Sequence, residues 1–247
     1  MVILVLERMS ELEQILEEVK EANEVSKSTR KRFWKLVRQI KRERDPDRAE
    51  IKIATQIRNI LFKLDRGRTY PIWPLLGVQT FFGWLALLMY VLALLTPVSW
   101  INIFNWSMSE IITIVIRFMG LFLIIALWYP YGRLMAGAGL GIKLEALCLD
   151  EYKEPTLKID YESFLRATPT NRKRFFLYSG LWTMILALGF GIIGWILAGD
   201  ILGFILTVFF LCFYVPVIRS GTTSHGRGEM AHYNRERKIE RAWKKNE

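Results

Sequence analysis

The chain has 247 residues, a formal charge of +10, a hydrophobic fraction of 52% and a charged fraction of 23%. That pairing excludes an evenly mixed soluble chain, because an apolar block must be joined to very polar blocks, and the residue order shows both. Two cysteines, Cys148 in a polar stretch and Cys212 in an apolar one, exclude a disulfide framework and read as unpaired thiols.

Residues 1–70 form the first block, a helical cytoplasmic arm by pattern. Met1 to Leu6 is a short apolar run with no basic residues before it, so no cleavable signal peptide is expected and the arm is not exported. Val5, Met9, Leu12, Leu16 and Val19 recur at helical spacing among Glu7, Glu11, Glu13, Glu17, Glu18 and Glu21, which predicts an acidic amphipathic helix. After Ser26 the charge inverts: Lys27, Arg30, Lys31, Arg32, Lys35, Arg38, Lys41, Arg42 and Arg44 surround Phe33, Trp34, Val37 and Ile40. The two helices either fold back on each other as a hairpin or stand as separate solvated faces. The basic one also suits a helix lying on anionic headgroups. Asp45-Pro46 reads as a break, with Asp45 as N-cap and Pro46 as first helical residue. A further helix should run to Leu64 with Ile53, Ile57, Ile60, Leu61 and Leu64 inward, and stop at Gly67.

Residues 71–220 hold four long apolar segments, about 72–95, 111–128, 175–197 and 201–218. Each is close to the ~20 residues a helix needs to cross ~30 Å of hydrocarbon, where only a helix or a closed barrel satisfies its own backbone. The fold class expected is therefore all-α, a polytopic membrane protein with an N-terminal helical arm. Lys and Arg fall on one side of the spans. The 96–109 connection has none and carries Trp100 and Trp106, whereas residues 132–174 hold eight, and the 221–247 tail is basic. By the positive-inside rule, the arm, the 132–174 loop and the tail are cytoplasmic, and the location is the plasma membrane. The same rule accounts for the net charge, so no nucleic-acid partner is expected. The partners implied are the bilayer, its anionic headgroups, and a membrane or cytoplasmic protein.

Arg117 lies inside the second span, where an unpaired cation is costly. Glu110 and Asp200 are its candidate partners. An ion pair or a snorkelling side chain is the structural reading; a substrate pathway through a small transporter subunit is the functional one.

The second span runs out through Tyr129-Pro130-Tyr131-Gly132-Arg133, then a small-residue run, then Gly141-Ile142. Gly137 and Gly141, like Gly132 and Ala136, are spaced for close helix packing. This frame, with Ser179-Gly180-Leu181 early in the third span and Pro216 before Ser220-Gly221, resembles the site-2 protease family of intramembrane zinc metalloproteases. In that family the corresponding positions carry H-E-x-G-H and a later Asp. The resemblance sets Tyr129 and Arg133 where the two zinc-binding histidines would be, Pro130 at the general-base Glu, and Ser220 at the third ligand. Zinc catalysis needs three protein donors and a base for the water proton. All are replaced, so the resemblance implies a binding or regulatory protein without a cofactor, with Tyr129, Tyr131, Arg133 and Ser220 lining a polar pocket.

The enzyme alternative is a metal-dependent membrane hydrolase using His225, Glu229 and His232, whose offsets align on one helical face. Gly226 and Gly228 interrupt a helix through His225, so the tail helix should start near Gly228 and run through Trp243. The acids Asp150, Glu151, Glu154, Asp160 and Glu162 alternate with Lys153 and Lys158 and read as a solvated, charge-balanced loop. No P-loop, dinucleotide fingerprint, Gly-x-Ser-x-Gly elbow or Cys-x-x-Cys pair occurs.

Overall fold

A computed structural model of the chain describes residues 2–43, 46–66, 69–100, 106–149, 155–221 and 228–245. In chain order the elements are α1 (Val2–Glu21), α2 (Lys27–Ile40), α3 (Arg48–Arg66), β1 (Thr69–Tyr70), α4 (Ile72–Leu94), α5 (Met108–Leu140), β2 (Leu144–Leu149), β3 (Pro155–Ile159), α6 (Tyr161–Arg166), α7 (Pro169–Ala198), α8 (Leu202–Ser220) and α9 (Glu229–Lys244). Four of them, α4, α5, α7 and α8, are long and apolar enough to cross a membrane. The protein is an all-α, multi-pass integral membrane protein with a minor sheet. Lipid is the solvent for side chains such as Trp73, Leu95 and Ile196, each about three-quarters exposed.

The chain divides into two compact units. One comprises Met1–Ile72, Ala136–Phe175 and Tyr233–Glu247; the other comprises Trp73–Met135 and Phe176–His232.

In the first unit α2, α3 and α6 each start where a side chain accepts orphan amides. Ser26 accepts from Thr29 N at 3.1 Å, and Asp160 accepts from Glu162 N and Ser163 N, both at 3.2 Å. The N-cap of α3 is Asp47, whose carboxylate accepts from Ala49 N at 3.0 Å. Helix α3 thus begins after Pro46, two residues later than the Asp45-Pro46 reading; Asp45 and Gly67 lie outside the described residues. Leu12, Ile15, Val19, Phe33, Leu36, Val37, Ile40, Ile51, Ala54, Ile57 and Leu61 are buried. The acidic and basic helices do fold back: Arg32 pairs with Glu11 at 3.4 Å and Glu18 at 3.1 Å, and Thr29 Oγ1 donates to Glu18 at 3.0 Å. These pairs are well exposed and contribute little. The buried stripes beneath them carry the association.

Two antiparallel pairings make a three-stranded sheet in the order β1-β2-β3, with Tyr70 opposite Leu147 and Leu147 opposite Leu157. Part of the stretch read as a polar loop is therefore strand, and α5 continues through Pro130 to Leu140. The helix stops where Gly141, at φ 72°, lets Ile142 N reach Gly137 O at 2.9 Å, a left-handed C-terminal closure. Asp150, Glu151, Lys153 and Glu154 lie outside the described residues.

A buried charge cluster ties the far ends of this unit's sequence together. Arg172, 2% exposed, donates to Glu236 Oε2 at 2.8 Å, Lys41 O at 2.8 Å and Ala167 O at 2.7 Å. Lys41 reaches the other Glu236 oxygen at 2.6 Å and lies over the Phe164 ring. One carboxylate thus sits between two cations. Burial opposes the charge on Glu236, but Lys41 and Arg172 outweigh it and hold the carboxyl below its usual range. Burial and the neighbouring Arg172 lower Lys41 from its ordinary value against the pull of Glu236. A folded-state value below the unfolded ~4.3 means that Glu236 stabilises above that pH and ceases to as pH falls through the folded value. We expect Glu236→Gln to lower the unfolding midpoint at neutral pH, and the two midpoints to converge as pH falls below about 4. Parallel pH curves would contradict this.

In the second unit Ala86, Tyr90, Leu94, Leu121, Ile124, Ile125, Leu186, Ala187, Leu202 and Leu206 form the core. Helix α7 opens with Pro169 at its first position and Thr168 accepting from Asn171 N at 3.2 Å. It closes on Gly199, at φ 63°, before α8 begins. Helices α7 and α8 meet at Gly191 and Gly203, where a Cβ on Gly203 would strike the Gly191 backbone and lie 2.8 Å from Ala187 O. Such backbone contact is what small residues permit in lipid. Gly203→Val should destabilise the bundle by about 1–3 kcal/mol, read as a lower unfolding midpoint in detergent; an unchanged midpoint would mean that the helices separate freely there.

Candidate functional site

Tyr129 and Arg133 are one helical turn apart on α5 and project from the same face. Pro130 between them costs one backbone hydrogen bond without ending the helix. Both side chains converge on Glu229 in the first turn of α9. Arg133 donates to Glu229 Oε1 through Nε at 2.6 Å, and its Nη2 lies 2.5 Å from the same oxygen. The Tyr129 hydroxyl donates to it as well. Gly228, at φ 136°, supplies a backbone turn that other residues avoid just before the helix. Gly180 on α7 lets this turn come close: a Cβ there would overlap Met230 Cε and lie 3.2 Å from Glu229 Cβ.

The chemistry of this cluster is carboxylate recognition. A guanidinium and a phenol supply donors to one oxygen, and the helix N-terminus favours the negative charge. Glu229 is 6% exposed, and its other oxygen, Oε2, is buried without a hydrogen-bond partner. Arg133 has no lone pair to offer a metal.

The remaining sequence candidates fall nearby or elsewhere. Tyr131 hydrogen bonds to Thr80, which itself donates to Leu76 O at 2.6 Å, so the tyrosine is the donor of the pair. Ser220 ends α8, exposed, and donates to Val217 O at 3.1 Å. The His232 ring stacks on Phe176 at 4.9 Å between centroids. His225, the remaining member of the His225, Glu229 and His232 set, lies outside the described residues. Among the described residues no group of three or more His, Cys, Asp or Glu is placed to hold a metal.

Arg117 is fully buried. It donates through Nε to Ala93 O at 3.2 Å and through Nη2 to Thr96 O at 2.5 Å, capping the C-terminal end of α4. Its Nη1 lies 3.6 Å from Asp200 Oδ1, and the Tyr90 hydroxyl donates to Asp200 Oδ2 at 3.0 Å. Of its two candidate partners, Asp200 is the one in contact. Glu110 instead closes a capping box with Ser107: it accepts from Ser107 N at 2.8 Å, and Ser107 Oγ accepts from Glu110 N at 3.3 Å.

No family model, no curated protein and no solved structure matches the chain. The functional reading therefore rests on the residues themselves. Sequence reasoning placed Tyr129 and Arg133 in a pocket but put Glu229 in a different constellation, with the histidines. An acid at the start of a tail helix behind Gly228 was the available signal. Nothing in sequence spacing points to Tyr90, or to Glu236 with Lys41 and Arg172.

Proposed function

We propose that this integral membrane protein is a non-catalytic binding or regulatory protein of the plasma membrane, descended from a site-2 protease frame. It holds a membrane or cytoplasmic protein partner at the cytoplasmic face, where both termini lie and where basic segments meet anionic headgroups. The observation that supports this most is the use of Tyr129 and Arg133. At the positions the resemblance gives to metal-binding histidines, these residues grip the chain's own carboxylate. A guanidinium there repels a divalent cation, and Glu229 is engaged instead of held ready for a water.

The test is catalytic. The purified protein, reconstituted with a membrane-embedded peptide, should cleave nothing, with or without a chelator. Cleavage abolished by chelation would overturn the proposal and favour the hydrolase built on His225, Glu229 and His232, with metal content lost in His232→Ala as the follow-up. Crosslinking in native membranes should give a recurrent protein partner; repeated recovery of the protein alone would refute the binding role.

A further inference from the structure

Helix α2 carries a basic side whose cations are not neutralised within its own unit, among the described residues. Thr29, Phe33, Leu36, Val37 and Ile40 are buried. Lys27, Lys31, Trp34, Lys35 and Arg38 are exposed, as is Arg42 in the turn that follows. At ~100° per residue, the five exposed helical positions occupy an arc of roughly 100°. The cations flanking this arc are matched internally, Arg30 by Asp65 and Arg32 by Glu11 and Glu18. Lys27, Lys31, Lys35, Arg38 and Arg42 have no acidic partner among the described residues.

Five unneutralised cations along ~20 Å of helix repel one another. An anionic plane relieves that repulsion along the whole stripe at once, because all five charges point the same way. Trp34, 39% exposed at one edge of the stripe with Arg58 over its ring at 5.8 Å, is amphipathic and suits the headgroup layer. The chain's own spans keep a bilayer surface permanently at high effective concentration. We infer that the Lys27–Lys31–Lys35–Arg38 face of α2 docks on a bilayer surface containing acidic phospholipid. This deepens the headgroup contact in the function proposed above and is independent of Tyr129, Arg133 and Glu229. The cleavage assay and the test below can therefore fail separately.

The test uses the full chain in lipid nanodiscs, with an environment-sensitive fluorophore on Gln39→Cys in a Cys212→Ser background; Cys148 is fully buried. Gln39 is exposed at the edge of the stripe. With about a third phosphatidylglycerol, emission should shift to the blue and be quenched by brominated lipid. In phosphatidylcholine alone it should do neither. Each cation removed should weaken engagement roughly five-fold, or ~1 kcal/mol, so Lys31→Gln/Lys35→Gln/Arg38→Gln should abolish the shift while leaving helicity unchanged. Equal signals in the two lipids, or a triple variant that behaves like the parent, would overturn the inference. A shift produced by soluble heparin but not by phosphatidylglycerol would also overturn it, assigning the face to a soluble polyanion.

Discussion

Arg117→Leu is expected to destabilise the membrane bundle by about 3–5 kcal/mol, because it strands the carboxylate of Asp200 in a site that excludes water. Both side chains are fully buried, and among the described residues the Tyr90 hydroxyl is what donates a hydrogen bond to Asp200. The same substitution also removes the donors to Ala93 O and Thr96 O. Thr96 O would then lose this donor, and Ala93 O would keep the weaker 3.3 Å bond from Thr96 N. Arg117→Leu/Asp200→Leu should recover a substantial part of the loss, since no lone charge remains and the cost of desolvating the pair disappears. Tyr90→Phe should cost less, about 1.5–3 kcal/mol, as the price of one donor to a buried carboxylate. Unfolding midpoints in a single detergent, compared as a double-mutant cycle, decide the matter. An unchanged midpoint for Arg117→Leu together with loss of a solute flux would make the residue part of a pathway instead of a strut.

The spans were legible in the sequence because hydrocarbon imposes a length and a composition that no short-range alternative imitates. The caps at Ser26, Ser107 and Thr168 were not read from the sequence, where Asp45 was the one N-cap named. At Asp45-Pro46 two acids lay within reach, and the one nearer the helix, Asp47, took the amide. The strand pairing of Leu144–Leu149 was hidden for a different reason. Its burial does not alternate cleanly, with Leu147 and Cys148 both inside, so the period-two signal is absent. The carboxylate site was half legible. Tyr129 and Arg133 are neighbours on one helix, and local spacing reveals them. Glu229 reaches them from about a hundred residues away, and only tertiary packing at Gly180 selects it. Buried ion pairs such as Arg172 with Glu236 share that property: each partner looks like an ordinary surface charge until the fold removes the water.

Glu229→Ala should loosen the first turn of α9 by about 2–3 kcal/mol, somewhat less than for a fully buried pair because Arg133 keeps partial access to solvent. The substitution removes the acceptor of both Tyr129 and Arg133 and leaves a guanidinium largely enclosed without its counter-charge. Glu229→Gln retains one acceptor oxygen and should lose less. Arg133→Met tests the reverse side, exposing a lone carboxylate, and Glu229→Ala/Arg133→Met should be less destabilised than the two single losses added together. Gly180→Leu attacks the same turn without touching charge, since its side chain would need the volume held by Met230 and Glu229. Hydrogen exchange over the first turns of α9 should therefore accelerate in Glu229→Ala and in Gly180→Leu alike. If the double variant shows strict additivity, the carboxylate and guanidinium are not coupled, and the close contact at Gly180 alone seats the tail. Coupling of the expected sign would instead make Tyr129 and Arg133 an anion site already occupied from within, so that any acidic partner must displace Glu229 to enter it.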